Sequence, residues 1–167
     1  LWQDILKVDI PALVQAELPG LRPMACANLP YYITSPVLTA LLEARCFSSV
    51  TVMVQKEVAQ RMAAAPGSGD SSAFTVFCNY YAQPELLFDV PPSCFLPQPK
   101  VTSSVVRLDI RQSPPCPVED EALFFRVVRA SFAQRRKQLQ NGLAATVRGE
   151  TLDIPAFARI AAAIGRA

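Results

Sequence analysis

"RPMACANLPYYITSPVLTALLEARCFSSVTVMVQ", residues 22–55, decides how the chain folds. Residues 22–29 read as a short buried strand. Thr34 or Ser35, with Pro36 just inside, supplies an N-cap for a helix running to about Arg45. Residues 48–55 are β-branched and continuously apolar, as in a strand covered on both faces. A helix from Lys56 to Ala65 follows, and "PGSGDSS" (66–72) ends it as a loop. Strand, helix, strand, helix is the pattern of an α/β layer structure built on a parallel sheet.

Working outward, "AFTVFCNYYA" (73–82) and "ELLFDV" (85–90) are strand-like runs separated by a Gln-Pro turn, and "KVTSSVVRLDI" (100–110) alternates as a last strand. These read as an antiparallel edge added to the parallel sheet. "RQSPPCPVED" (111–120) is a Pro-rich linker, beyond which the pattern is helical. The expected domains are therefore 1–112, an α/β domain, and 113–167, a small all-α domain.

The chain has 167 residues, 51% of them hydrophobic, enough for a substantial core. It contains neither an apolar run of membrane-spanning length nor the basic-then-apolar start of a secretory signal, and is read as cytoplasmic. Five cysteines, Cys26, Cys46, Cys78, Cys94 and Cys116, are odd in number and never spaced C-x-x-C. Free, mostly buried thiols are expected, with no disulfide framework and no zinc site. The absence of histidine removes Ser-His and Cys-His nucleophile pairs and histidine-ligated metals together.

The net charge of +2 conceals an asymmetry. No acid lies between Glu121 and Glu150, whereas Arg126, Arg129, Arg135, Arg136, Lys137 and Arg148 do. On a continuous helix Arg126, Arg129, Arg136, Lys137 and Gln140 share one face, and Phe124, Val127, Val128, Phe132 and Leu139 the other. Arg135 would then point into the apolar side, so the helix is expected to break near Ala133. The basic face suits either an ordinary solvated helix or a phosphate-binding surface.

In an open α/β sheet ligands sit beyond the carboxyl ends of the strands, where Asn28 lies. An exocyclic amine on a base is a poor nucleophile because its lone pair is delocalised into the ring. The Asn28 side-chain oxygen and the Leu29 carbonyl are two acceptors that can hold the amine hydrogens and draw that lone pair out of conjugation. Pro30 stiffens the turn, and Tyr31 offers a face on which an extruded base stacks, with Tyr32 packed inward. Phe95, in a loop stiffened by Pro97 and Pro99, can close the opposite face. A plain turn after a strand and a Pro-rich loop with an aromatic anchor account for the same residues taken singly.

Taken together, "NLPYYITSP" (28–36), "VQKEVAQR" (54–61), "YYAQPELLFDVPPSCFLPQPKVTSSVVRL" (80–108) and "FRVVRASFAQRRKQLQNGL" (125–143) resemble, in order, the ribosomal RNA small-subunit methyltransferase A (KsgA) family. The resemblance implies the C-terminal part of a class I, Rossmann-like methyltransferase sheet followed by a small helical domain. It implies S-adenosylmethionine-dependent dimethylation of the N6 amines of two adjacent adenosines near the 3′ end of small-subunit rRNA, during ribosome assembly. By position, Asn28, Leu29, Pro30 and Tyr31 match the motif that holds the target amine, and Phe95 the aromatic that stacks on the adenine. Asp4 matches the acid that contacts the cofactor's adenine, with Asn28 also bordering the cofactor. Lys100 and Arg126, Arg129, Arg135, Arg136 and Lys137 are the candidates for rRNA contact. No metal is implied, and a monomer is expected.

The family's Gly-rich loop and its ribose-binding acid have no counterpart; Gly67-Ser68-Gly69 follows a helix and cannot serve as that loop. The chain opens at Leu1, and the reading is of an N-terminally truncated protein, inactive alone and less stable than its parent. Two other readings stay open: a non-catalytic module that binds RNA or the small subunit, and an Erm-like enzyme acting on large-subunit rRNA.

Overall fold

The computed structural model describes residues 2–133 and 149–166, and their contacts divide the chain into two units, 1–60 with 81–111 and 61–80 with 112–167.

The first unit holds a four-stranded mixed sheet. Strands β1 (Met24–Asn28), β2 (Ser49–Gln55), β3 (Ala82–Val90) and β4 (Ser103–Ile110) lie in the order β1-β2-β4-β3. β1 and β2 run parallel, with Asn28 opposite Met53; β4 is antiparallel to both β2 and β3. The parallel pair with an antiparallel edge is the arrangement expected from sequence. A register shift between Leu86 and Phe88 marks a bulge in β3.

Helices α1 (Ile10–Glu17) and α2 (Thr34–Glu43) belong to this unit. Asp9 begins α1, its carboxylate accepting from the Ala12 amide at 3.1 Å. α2 packs on β2, and Leu38, Leu42, Val50, Val52, Val54, Val106 and Leu108 are wholly buried. Each such side chain contributes about 1.5–3 kcal/mol over its exposed state. β2 alternates instead of being covered on both faces: Val50, Val52 and Val54 are sealed while Thr51, Met53 and Gln55 are half-buried. Neither Thr34 nor Ser35 caps α2. The helix begins at Thr34 itself, after Ile33, and the Thr34 hydroxyl donates back to the Pro30 carbonyl at 3.2 Å. α2 ends where Arg45 turns to a φ of 51°.

Helix α3 (Lys56–Ala63) follows β2 directly, as expected. Residues 73–81 are helix α4 (Ala73–Tyr81) and not a strand, and the expected Gln-Pro turn is absent because Gln83 and Pro84 lie within β3, paired with Asp109 and Leu108. The β-branched and aromatic composition of residues 73–81 suggested a strand, but a local cap starts a helix. The Ser72 amide donates to the Thr75 hydroxyl at 2.9 Å, and the Thr75 amide to the Ser72 hydroxyl at 3.1 Å. Helical spacing then brings Phe74 and Phe77 together, with ring centroids 6.2 Å apart.

Helices α5 (Glu121–Ala133) and α6 (Ile154–Gly165) pack against one another. Phe124 and Phe157 are wholly buried, and Tyr80 lies 5.1 Å from both Phe124 and Phe125. Gly149 lies against α5, where a Cβ would fall 2.9 Å from the Ser131 carbonyl oxygen, so only glycine fits.

Two expectations about individual side chains are corrected. Tyr32 points outward, 85% exposed, because the turn at 31–33 directs only Tyr31 toward the sheet. Of the cysteines Cys78 alone is buried; Cys26 and Cys94 are exposed and Cys46 and Cys116 intermediate. Cys26 falls on the uncovered face of β1, beside Met24 and Asn28. Burial pushes the Cys78 thiol far above the ordinary range and raises Cys46 and Cys116 as well. Under native conditions at neutral pH a maleimide is therefore expected to label Cys26 and Cys94 first and Cys78 only after denaturation. Mass spectrometry of the digested, time-quenched protein checks this; early labelling of Cys78 would contradict the buried placement.

Among the described residues no helix is long and apolar enough to cross a membrane, and no group of three or more Cys, Asp or Glu is placed to hold a metal ion.

Candidate adenine-binding site

β1 delivers Asn28 to the carboxyl end of the parallel pair, the position at which open α/β sheets bind ligands. The Leu29 amide continues the pairing by donating to the Met53 carbonyl at 3.3 Å. Leu29 is buried, Asn28 and Pro30 are exposed. Among the described residues no protein group bonds the Asn28 side-chain amide. Its oxygen is thus available to an incoming donor, on a backbone that the pairing with β2 holds in place.

Pro30 sits at φ −58°, ψ 134°, and its carbonyl accepts from both the Ile33 amide at 3.1 Å and the Thr34 hydroxyl. The chain therefore leaves the strand in a 3-10 turn, Tyr31–Ile33, that carries Tyr31 back over the sheet. The half-buried Tyr31 ends in a 2.8 Å hydrogen bond between its hydroxyl and that of Ser103. Ser103 opens β4 and pairs in register with Gln55. Tyr31 consequently reaches past the end of β2, a span of two strand spacings or about 10 Å.

Phe95 lies on the loop that runs into β4. Its amide donates to the Pro92 carbonyl at 3.1 Å, closing the 3-10 turn Pro92–Cys94, and its ring is half-buried. The other end of that loop is held by the Lys56 amide, which donates to the Thr102 carbonyl at 3.0 Å. Asn28, Tyr31 and the Phe95 loop are thus held around the carboxyl end of β2, by Met53 on that strand, by Ser103 of β4 opposite Gln55, and by Lys56 at the start of α3.

Asp4 stands apart on the 3-10 turn Ile5–Lys7, which packs on α2. Its carboxylate accepts from the Leu6 amide at 3.1 Å and lies 4.0 Å from the Lys7 ammonium, both groups well exposed. Lys100 is exposed on the Phe95 loop. Arg126 and Arg129 are exposed on α5, with Phe124 and Val128 buried on its other side, as the helical wheel required. Arg135, Arg136 and Lys137 lie outside the described residues.

Sequence reasoning missed Ser103 and a polar cluster on the opposite face of β4. Lys56 donates to Asp89 at 2.6 Å, and Ser104 donates to the other oxygen of Asp89 at 2.6 Å. The paired serines directly before Val105 and Val106 were the available signal. The Lys56 and then the Ser104 hydrogen bonds hold the Asp89 carboxyl below its usual range. A depressed carboxylate contributes stability above its unfolded pKa and loses it as pH falls through the folded value. Asp89→Asn is therefore expected to lower stability at neutral pH and to flatten the loss of stability below about pH 4. Urea midpoints across the acid range check this, and an unchanged acid limb would contradict it.

Residues 1–164 match the family described as Ribosomal RNA adenine dimethylase. The chain is 44% identical over 182 aligned residues to Ribosomal RNA small subunit methyltransferase A of Lachnoclostridium phytofermentans, covering 95% of this chain and 63% of that one. It is 49% identical over 143 residues to the protein of the same name from a Geobacillus species, covering 84% and 49%. The chain thus spans about half to two thirds of the length of the curated relatives it matches. A crystal structure of a dimethyladenosine transferase from Plasmodium falciparum superposes with a TM-score of 0.62 at 30% identity, covering 74% of this chain and 46% of that one. The 23S rRNA methyltransferase ErmE gives a TM-score of 0.67 over 97% of this chain and 70% of its own, and at 21% identity shows the fold alone. That fold is the Rossmann-like sheet of class I methyltransferases with a small helical part.

Proposed function

Because this chain belongs to the ribosomal RNA adenine dimethylase family, we propose that residues 28–31 and 95 form the target-base pocket of an enzyme that dimethylates N6 of two adjacent adenosines near the 3′ end of small-subunit rRNA. The observation that carries the reading is Asn28 at the carboxyl end of β1, its amide oxygen without a partner among the described residues, beside a tyrosine fastened across the sheet.

The adenine amine is held by the Asn28 oxygen and the Leu29 carbonyl, which pull its hydrogens out of the ring plane and raise electron density on N6. Pro30 keeps the two acceptors converged, and Tyr31 and Phe95 stack on the base, each contact worth about 1–3 kcal/mol. S-adenosylmethionine, when bound, supplies an electrophilic methyl group on a cationic sulfur, so no strong base is needed in the pocket. The proton released from N6 passes to solvent. Asp4 is suited to the cofactor's adenine: its exposed carboxylate offers an acceptor to an exocyclic amine. The domains proposed for this role are 1–112 for the sheet and 113–167 for the helical part. Lys100, Arg126, Arg129, Arg135, Arg136 and Lys137 are the proposed phosphate contacts, and a cytoplasmic monomer acting on assembling small subunits is the proposed setting.

The test is binding and methyl transfer on small-subunit particles that lack the dimethyladenosines. Expected is tighter binding to unmodified than to modified particles, with labelled methyl groups located at those two adenosines. Label in large-subunit RNA would replace the reading with an Erm-like one, and binding without label by any family-length form would replace it with a non-catalytic module.

A further inference from the structure

We propose that Ser103 is a positioning residue for the target base, its hydroxyl holding the Tyr31 ring in the attitude in which it stacks. The inference rests on the base-pocket reading above. Ser103 is wholly buried, and its hydroxyl lies 2.8 Å from that of Tyr31. A buried hydroxyl costs free energy unless it is bonded, and here Tyr31 supplies the bond.

Farther along the Ser103 face, Arg107 is exposed and Asp109 half-buried, so their polar groups reach solvent, whereas Ser103 is sealed and its hydroxyl has to be satisfied from within the protein. Ser104, one position on, faces the other side of the sheet and spends its hydroxyl on Asp89. The two serines therefore serve different faces, and Ser104 cannot substitute for Ser103.

Tyr31 needs such a tether. It sits on a one-turn 3-10 segment outside the sheet, and among the described residues the local hydrogen bonds of that segment are those of the Ile33 amide and the Thr34 hydroxyl to the Pro30 carbonyl. The backbones on either side are already pinned, Leu29 to Met53 of β2 and Thr102 to Lys56 at the start of α3. The Tyr31–Ser103 bond adds the side-chain tie between them, joining the amine-binding turn to the root of the Phe95 loop. Anchoring the phenol by its tip fixes the ring plane before the base arrives, so less order has to be imposed on binding.

The test uses the full chain and an RNA bearing the two adjacent adenosines near the 3′ end of small-subunit rRNA, one replaced by 2-aminopurine, whose fluorescence is quenched on stacking. Because 2-aminopurine lacks the N6 amine, the signal reports stacking apart from amine recognition. Ser103→Ala is expected to weaken the stacking equilibrium about three- to tenfold, the factor carried by one intramolecular hydrogen bond. Tyr31→Phe, which keeps the ring but removes its tether, should give the same loss, and the double variant no further loss. Ser103→Thr, which keeps the hydroxyl, should restore quenching. Quenching that is unchanged in Ser103→Ala and Tyr31→Phe, with only the melting temperature lowered, would leave Ser103 a structural residue and overturn the proposal. Additive losses in the double variant would overturn it as well. Quenching absent in the unaltered chain, with RNA still bound, would instead sink the base-pocket reading and take the role of Ser103 with it.

Discussion

Replacing Asn28 with alanine is expected to lower methyl transfer to adenosine N6 by about 10²-fold or more, the loss typical of removing one preorganised hydrogen-bonding group from a reacting centre. RNA affinity should stay nearly constant. The two effects separate because Asn28 is one small contact within an RNA interface whose affinity is dominated by phosphates. Its amide oxygen matters chiefly when the amine becomes tetrahedral, so its loss falls on kcat more than on KM. The structure supports this division: Asn28 is exposed, paired through its backbone opposite Met53, and its side chain supports nothing else among the described residues. Alanine at this edge position should therefore leave the fold intact. Single-turnover methylation by Asn28→Ala in this chain, and by the same substitution in a full-length relative, checks the point. Turnover within a few-fold of the unaltered enzyme would remove the side chain from the mechanism and leave only the Leu29 carbonyl to hold the amine.

Phe124→Ala should have the largest effect on stability, about 3–5 kcal/mol, since a wholly buried aromatic leaves both a transfer loss and a cavity. Phe124 meets Tyr80 at 5.1 Å and Phe125 at 5.0 Å, the latter edge to face, so aromatic contacts beyond simple burial are lost too. Tyr80 also donates to Glu121 at 3.2 Å one turn earlier on α5, and loosening its ring weakens that bond. The loss is a large part of the roughly 5–15 kcal/mol that holds an ordinary domain together. Urea titration followed by helical circular dichroism checks it, with Phe124→Leu as the milder comparison. A loss under about 1 kcal/mol would mean that the aromatic cluster does not stabilise this unit, since truncations of that size normally cost more.

The strands and helices of residues 22–63 were legible because each carries its own period and punctuation. The β-branched run of β2 and the apolar face of α2 leave few alternatives, with Pro30 before the turn and Pro36 in the first turn of α2, although the half-exposed second face of β2 and the exposed face of β1 were not read. Residues 73–82 were misread because a short run rich in Phe, Tyr, Val and Thr satisfies strand composition and a buried helix equally. What separated them was the reciprocal Ser72–Thr75 cap, a feature of two side chains and two amides that composition does not register.

The sequence by itself determined the family, the order of the elements from β1 to α3 and the candidate residues Asn28 to Tyr31 and Phe95, because those depend on residue types at fixed local spacing. Only the tertiary structure decided which tyrosine faces the sheet, that Tyr31 is fastened to Ser103, and that Cys26 and Cys94 lie open while Cys78 is sealed. Those outcomes depend on which strand lies beside which. Asn28 and Ser103 are far apart along the chain, and it is the order β1-β2-β4 that brings them to the two sides of one strand end.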